Sequence, residues 1–279
     1  DVKGTNLDNL TGDIKLQNFS YTENAQDYKI NNLQINSSVD FLGMKNVQII
    51  SNWINIDIAG KFLLSDIGAI ADNILQKYLP SLSNQNILAS NIQSITDSKK
   101  IKANEKQTAP KQLKSENRYL SFDINVLDAK PITDLFLTNL IISNNTTISG
   151  FLNAQNKTIN CNLDANYISM SGIEFTNFHL NTNTLTNLLK VSLKSEYIQL
   201  IKSDSIFLKN FVFQGNLIND SIQYSIGWNG SNNNIRKNQA EINGEAQLFS
   251  DKTFKTKIYE SKIIINDSIW TLEAGNSLV

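Results

Sequence analysis

The sequence predicts a mainly β protein, built as an elongated, curved antiparallel sheet with one short amphipathic helix. Three observations carry this. Apolar and polar residues alternate at period 2, as where Ile222, Tyr224, Ile226 and Trp228 interleave with Ser221, Gln223, Ser225 and Gly227, the pattern of half-buried strands. Clusters of turn residues separate the runs, among them Asn219-Asp220-Ser221 and the stretch 229–234, which suit hairpins between consecutive strands. A single segment departs from that period: Ile67, Ile70, Ala71, Ile74, Leu75 and Tyr78 recur at helical spacing, with polar residues between them.

Composition sets the outer limits. A chain of 279 residues with 41% hydrophobic residues, 12 Gly and 3 Pro can bury a core and is neither collagen-like nor of disordered composition. The 25 Lys and Arg nearly cancel 26 Asp and Glu, so no net field exists to gather nucleic acid. Only 18% of residues are charged, whereas 40 are Asn, so the polar surface is amide-rich rather than ionic. One cysteine and one histidine exclude an internal disulfide framework and a multi-cysteine metal site. A single histidine also removes the usual general base of an enzyme from most positions. No stretch of 18 apolar residues occurs, and the opening at Asp1 without a charged-then-apolar leader reads as a mature or excised piece.

Along the chain, residues 1–95 read as a β-sheet segment that includes the helix at 66–79. Ser65 suits its N-cap, Asp66 and Lys77 suit the two ends of its dipole, and Pro80 stops it. The helix reads as a plug for an open end of the sheet, with insertion into a membrane surface or a partner groove as the alternative. Residues 96–118 hold seven basic and three acidic side chains and almost no large apolar ones, so they read as a mobile basic loop; a tether to anionic headgroups is its sharper alternative. Residues 119–279 read as a continuation of the antiparallel sheet.

Two repeats run through this sheet. Seven segments share an apolar, any, Asn, apolar core around Asn9, Asn18, Asn32, Asn46, Asn139, Asn177 and Asn210. In a strict strand Leu16 and Phe19 would point to opposite faces, so keeping both on one face requires a bulge or bend near the Asn. Asn suits that place because it tolerates left-handed backbone and bonds local groups. The second repeat sets Gly at the start of a strand, at Gly12, Gly60, Gly150, Gly215 and Gly244. The Asn spacings of 9, 14, 14, 93, 38 and 33 residues are too irregular for the fixed rungs of a parallel β-helix.

The run from Leu208-Lys209-Asn210-Phe211 through Asn219-Asp220-Ser221 to Trp228, then Gly244, then Ile263 to Leu272, resembles the AsmA/TamB family, in particular the TamB-like proteins of Bacteroidetes-type bacteria. Ile265-Asn266-Asp267-Ser268-Ile269-Trp270 is the most telling stretch, and Lys45-Asn46-Val47 and Gly60-Lys61-Phe62 support it more weakly. The resemblance implies a periplasmic fragment of an inner-membrane-anchored protein. It further implies a groove along which phospholipid crosses toward the outer membrane, and partnership with an outer-membrane barrel of the TamA or BamA kind.

The apolar residues flanking the repeated Asn are the candidate lining for acyl chains: Leu16, Phe19, Tyr21, Ile30, Leu33, Ile35, Phe175, Phe178, Leu180, Leu208, Phe211 and Phe213, with Tyr224, Ile226 and Trp228 as a further wall. Apolar alternation alone fits a dry core equally well. Cys161 reads as a small apolar filler, and His179, out of phase with Phe178 and Leu180, as solvated or strand-paired. Asn160, Asn162 and Asp164 begin like a calcium loop but lack its Gly and terminal Glu. No catalytic residue, metal or cofactor is expected, since the spacing of Asp123, Asp128 and Asp164 supports no acid/base pair. The alternative to a lipid groove is an Asn-rich structural or adhesive β-solenoid of a surface protein.

Overall fold

The computed structural model of the chain describes residues 2–6, 8–23, 25–82, 117–137, 139–200, 207–232, 236–251, 253–275 and 277–278. Alternation becomes strand almost everywhere. The first half supplies β1 (Val2–Lys3), β2 (Thr11–Glu23), β3 (Gln26–Val39), β4 (Lys45–Ser51), β5 (Ile54–Lys61), β6 (Tyr119–Val126), β7 (Leu140–Ile142), β8 (Thr146–Asn153) and β9 (Thr158–Met170). The second supplies β10 (Ile173–Leu185), β11 (Leu188–Leu200), β12 (Phe207–Ile218), β13 (Ser221–Asn232), β14 (Arg236–Leu248), β15 (Phe254–Ile258), β16 (Ser261–Ile265), β17 (Ser268–Leu272) and β18 (Ser277–Leu278).

All of these belong to one antiparallel sheet. Neighbours in sequence are neighbours in space, from β2 through β6 and from β8 through β14. β6 pairs with β8 along its length, while β7 extends the β8 side of β9. β15 and β16 lie end to end along β14. Gly244 faces Ile258 and Glu241 faces Lys262, so one extra residue is accommodated there as a bulge. β1 and β2 form one edge and β17 and β18 the other. Among the described residues no pairing joins them, so the curved sheet is open.

β5 pairs with β6 over eight residues, from Ile54–Val126 to Lys61–Tyr119. The sheet therefore runs without a break from the segment 1–95 into 119–279. The basic stretch 96–118 lies outside the described residues except for Asn117 and Arg118.

Helix α1 (Ile67–Tyr78) follows a 3-10 turn at Leu64–Asp66. Its stripe of Ile70, Ile74 and Tyr78 is fully buried against Val47, Leu120, Leu152, Leu189 and Leu217. With Ile222 of β13 packed at the margin of the same cluster, a helix about 10 Å wide gathers strands from β4 to β13, which in a flat sheet would span roughly 38 Å at about 4.8 Å per strand. Only a strong curl brings both sides onto one helix. The capping expectation is corrected: Ser65 caps nothing, because the 3-10 turn places it before the helix, where its N–H and hydroxyl both donate to the Asp8 carboxylate (3.0 and 2.7 Å). Asp66 is ion-paired with Arg118, and Leu79 N–H closes the helix on Leu75 O (2.8 Å).

Beside the amphipathic helix, an eight-residue helical segment, α2 (Ala129–Phe136), joins β6 to β7. The Asp128 side chain accepts from Lys130 N–H at its start (3.3 Å), and Pro131 sits in the first turn, where a missing N–H costs nothing. Eight residues give too few turns for helical spacing to stand out from the strands around it.

Candidate functional site

Following direct cross-strand partners from β2 to β14 yields an unbroken apolar row: Ile14, Ile35, Ile49, Ile56, Ile124, Ile148, Leu163, Leu180, Leu193, Phe213, Ile226 and Ile242. It crosses twelve strands, about 50 Å at the usual strand spacing, and every member is half-buried. One residue along each strand, on the opposite face, the same pairing gives Asp13, Asn36, Gln48, Asp57, Asp123, Ser149, Asn162, Asn181, Ser192, Gln214, Ser225 and Asn243. Every one of these is polar. The outer row is tied by amide bonds, with Asn36 Nδ2 donating to Asp13 (2.6 Å), Gln48 Nε2 to Asp57 (2.8 Å) and Asn181 to Asn162. Register is thus specified by two continuous rows of opposite polarity, since a one-residue slip would exchange them.

The apolar row lies on the face that carries α1. One step toward α1 the next row holds four of the five recurring glycines: Gly12, Gly150, Gly215 and Gly244. Two of them, Gly150 and Gly244, make room for rings of the neighbouring strand. A Cβ at Gly150 would stand 2.6 Å from the Phe122 ring, and one at Gly244 2.5 Å from Tyr224 Oη, so each aromatic lies over the glycine of the adjoining strand. Cys161, opposite Gly150 in this row, is a half-buried filler whose thiol pKa is pushed up by burial.

The bend expected at the repeated Asn is present at three of the seven. Asn18, Asn177 and Asn210 have φ of 52°, 48° and 49°, the left-handed region that Asn enters more cheaply than most residues. All three precede Phe. No residue is inserted: Gln17 pairs with Asn32 and Phe19 with Ile30, so Asn18 stands opposite Asn31, and the device is a kink rather than a bulge. Its effect is to reverse side-chain phase. Phe175 and Phe178, three apart, meet edge to face with centroids 5.4 Å apart. Asn210 Nδ2 holds its kink by donating to Asn229 Oδ1 (2.8 Å). Asn32 and Asn46 lie in ordinary paired strand, Asn9 organises the turn before β2 by accepting from Thr5 and Asn6 N–H, and Asn139 lies in the turn before β7.

The predicted lining residues divide by position. Ile35, Leu180, Phe213 and Ile226 belong to the twelve-strand row. Leu16, Leu33, Phe178, Phe211 and Trp228 lie one step further from α1, and Tyr224 one step nearer. Phe19, Ile30, Phe175 and Leu208 lie beyond the kink, and Tyr21 further out, opposite Tyr28. Phe178 is the most enclosed of the predicted lining residues. It is only 7% exposed, packed with Ala165, Ile168, Phe175, Leu163 and Leu180. Leu16, Phe19 and Tyr21 are open, at 42–46% exposure. Eight members of the row, including Ile14, Ile56 and Ile124, escaped sequence reasoning, because each strand shows its own alternation but not its register with the next.

Away from the row, His179 Nδ1 is paired across strands with Asp164. Asp123 faces Asp57 and Ser149, and Asp128 caps α2, so the three carboxylates serve separate places. A cleft of about 310 Å³ between β3, the β4–β5 turn and α2 is lined by Asp27, Lys29, Asp128 and Lys130 beside Tyr28 and Trp53. Both rings are themselves buried, and Trp53 Nε1 donates to Lys29 O (3.0 Å). Among the described residues no group of three or more His, Cys, Asp or Glu is placed to hold a metal, and no helix is long and apolar enough to cross a membrane. Comparison of the chain with protein-family models, with curated proteins and with solved structures finds no match.

Proposed function

We propose that the sheet is a lipid-carrying trough, a segment of a TamB-like periplasmic bridge along which phospholipid acyl chains lie, supporting outer-membrane assembly with a TamA- or BamA-like barrel. The observation that supports this most is the half-exposed apolar row across twelve strands, backed everywhere by a polar one. A sheet with one apolar face has to cover it, and α1 covers only one end. Acyl chains bind such a wall by non-directional burial, about 0.8 kcal/mol per methylene, so lipid needs few polar contacts and the reading calls for no catalytic residue. The antiparallel meander has no place for the stacked rungs of the solenoid alternative.

The test is native mass spectrometry with lipid extraction on the chain expressed in a Gram-negative periplasm, beside the variant Leu180→Gln/Phe213→Gln. Both substitutions fall on half-exposed row positions, unlike Phe178. Co-purified phospholipid that drops at least tenfold in a variant with unchanged circular dichroism is the expected outcome. A folded, lipid-free wild type overturns the reading.

A further inference from the structure

We propose that the end of the sheet carrying α1 docks on a lipid surface, with Phe41 and Leu42 at the β3–β4 turn inserted into its hydrocarbon boundary. Phe41 is 94% exposed and Leu42 66%, yet the turn that displays them is firmly built. The Asp40 carboxylate accepts from Leu42 N–H (2.9 Å) and Met44 N–H (2.8 Å). Asp40 N–H donates to Met44 O (2.9 Å), and Gly43 N–H to Asp40 O (3.1 Å). Gly43 supplies the left-handed φ of 77° that closes the turn. Two large apolar side chains are therefore held in water by a structured backbone, which is unfavourable unless an apolar phase receives them.

The form of the tip favours lipid as that phase. A Cβ at Gly43 meets nothing within 4 Å, so the tip is convex and stands clear. Two side chains fall far short of the roughly 800 Å² per partner of a specific protein interface. The same end bears further exposed apolar residues at other turns: Leu185 before the β10–β11 turn, Ile218 before β12–β13, and Phe249 and Phe254 flanking β14–β15. Spread along a rim, these groups fit a broad, yielding surface better than a single pocket. The Asp40 charge is engaged inside the turn, so the contact is apolar rather than electrostatic.

The experiment is flotation with vesicles of phosphatidylethanolamine and phosphatidylcholine, comparing the wild type, Phe41→Ser/Leu42→Ser, Ile269→Ser/Trp270→Ser at the exposed β16–β17 hairpin, and the trough variant Leu180→Gln/Phe213→Gln. The wild type and the β16–β17 variant are expected to float equally and independently of salt, and the turn variant to lose at least tenfold in vesicle partitioning, while the trough variant is read for its co-purified phospholipid. Phe41→Trp should be quenched by brominated lipid. A wild type that stays with the lipid-free fraction overturns the proposal, as does equal flotation of the turn variant. Self-association lost in the turn variant without flotation also overturns it, and assigns the tip to a second copy. Because the trough variant is scored separately, failure here is distinct from failure of the lipid-carrying reading.

Discussion

The α1 end of the sheet and its edge at β2 share one sequence pattern and meet opposite fates. At the helix, Leu120, Leu152, Leu189 and Leu217 are all but sealed by Ile70, Ile74 and Tyr78. On β2, Leu16, Phe19 and Tyr21 stand in the same kind of alternation but remain 42–46% exposed. The difference is one amphipathic turn of chain laid across the first region and not the second. Burial in a curved sheet is thus assigned by what crosses it, not by how apolar its own strands are.

The largest expected effect tests that contrast directly. Ile74→Ala should cost about 2–5 kcal/mol, the usual range for emptying a packed site, whereas Leu16→Ala should stay within about 0.5 kcal/mol, as for an open surface position. Urea unfolding of both variants measures it, and similar losses would erase the distinction between the two regions. The next effect concerns how the helix is fastened. The Asp220 carboxylate accepts from Ser81 N–H and Ser81 Oγ (both 2.8 Å), Asp220 N–H donates to Tyr78 O (2.9 Å), and Tyr78 Oη donates to Lys157 O (3.0 Å). Ser81→Ala removes one charge-assisted bond, about 1.5 kcal/mol, and should speed hydrogen exchange in α1 while leaving β2 and β3 unchanged.

A smaller effect separates kinked from straight Asn. Asn210→Ala places an alanine at φ near 49° and should cost about 1 kcal/mol, with Asn210→Gly recovering most of it. Asn32→Ala, at a regularly paired position, should fall within about 0.5 kcal/mol. Equal losses would deny the kink its role. The smallest effect is in pH. The Ser65 backbone N–H, and then its hydroxyl, hold the Asp8 carboxyl below its ordinary value of 3.8. A folded-state value below the unfolded one stabilises the fold above the unfolded value, and that stabilisation is lost as pH falls through the lowered folded value. Asp8→Asn should therefore be slightly less stable than the wild type at neutral pH and flatten the acid limb below about pH 4, the two converging in acid when urea unfolding is followed against pH.

Much of the fold was legible because strand alternation is local. Ile222 to Trp228 announces β13 without reference to any other residue, and Ile70, Ile74 and Tyr78 announce α1. The need for a bend beside Leu16-Gln17-Asn18-Phe19 was legible too, as a conflict between spacing and a one-sided face. Which Asn would bend was not, although the three that do are those followed by Phe. The candidate site was legible only in part. Four of its twelve row members were named, because membership depends on register between strands up to dozens of residues apart.

Local chemistry by itself determined the antiparallel meander, the helix, and the segregation of apolar from polar faces, since these follow from period, turn residues and charge within short windows. Tertiary structure decided the rest. Pairing carried Ile14 into line with Ile242 through ten intervening strands, curvature brought β4 and β13 to one helix, and burial placed Phe178 in the core while leaving Phe19 in the open. The physical reason is that backbone hydrogen bonding and steric preference act between near neighbours, whereas solvent exclusion depends on which distant surfaces come to share the same space.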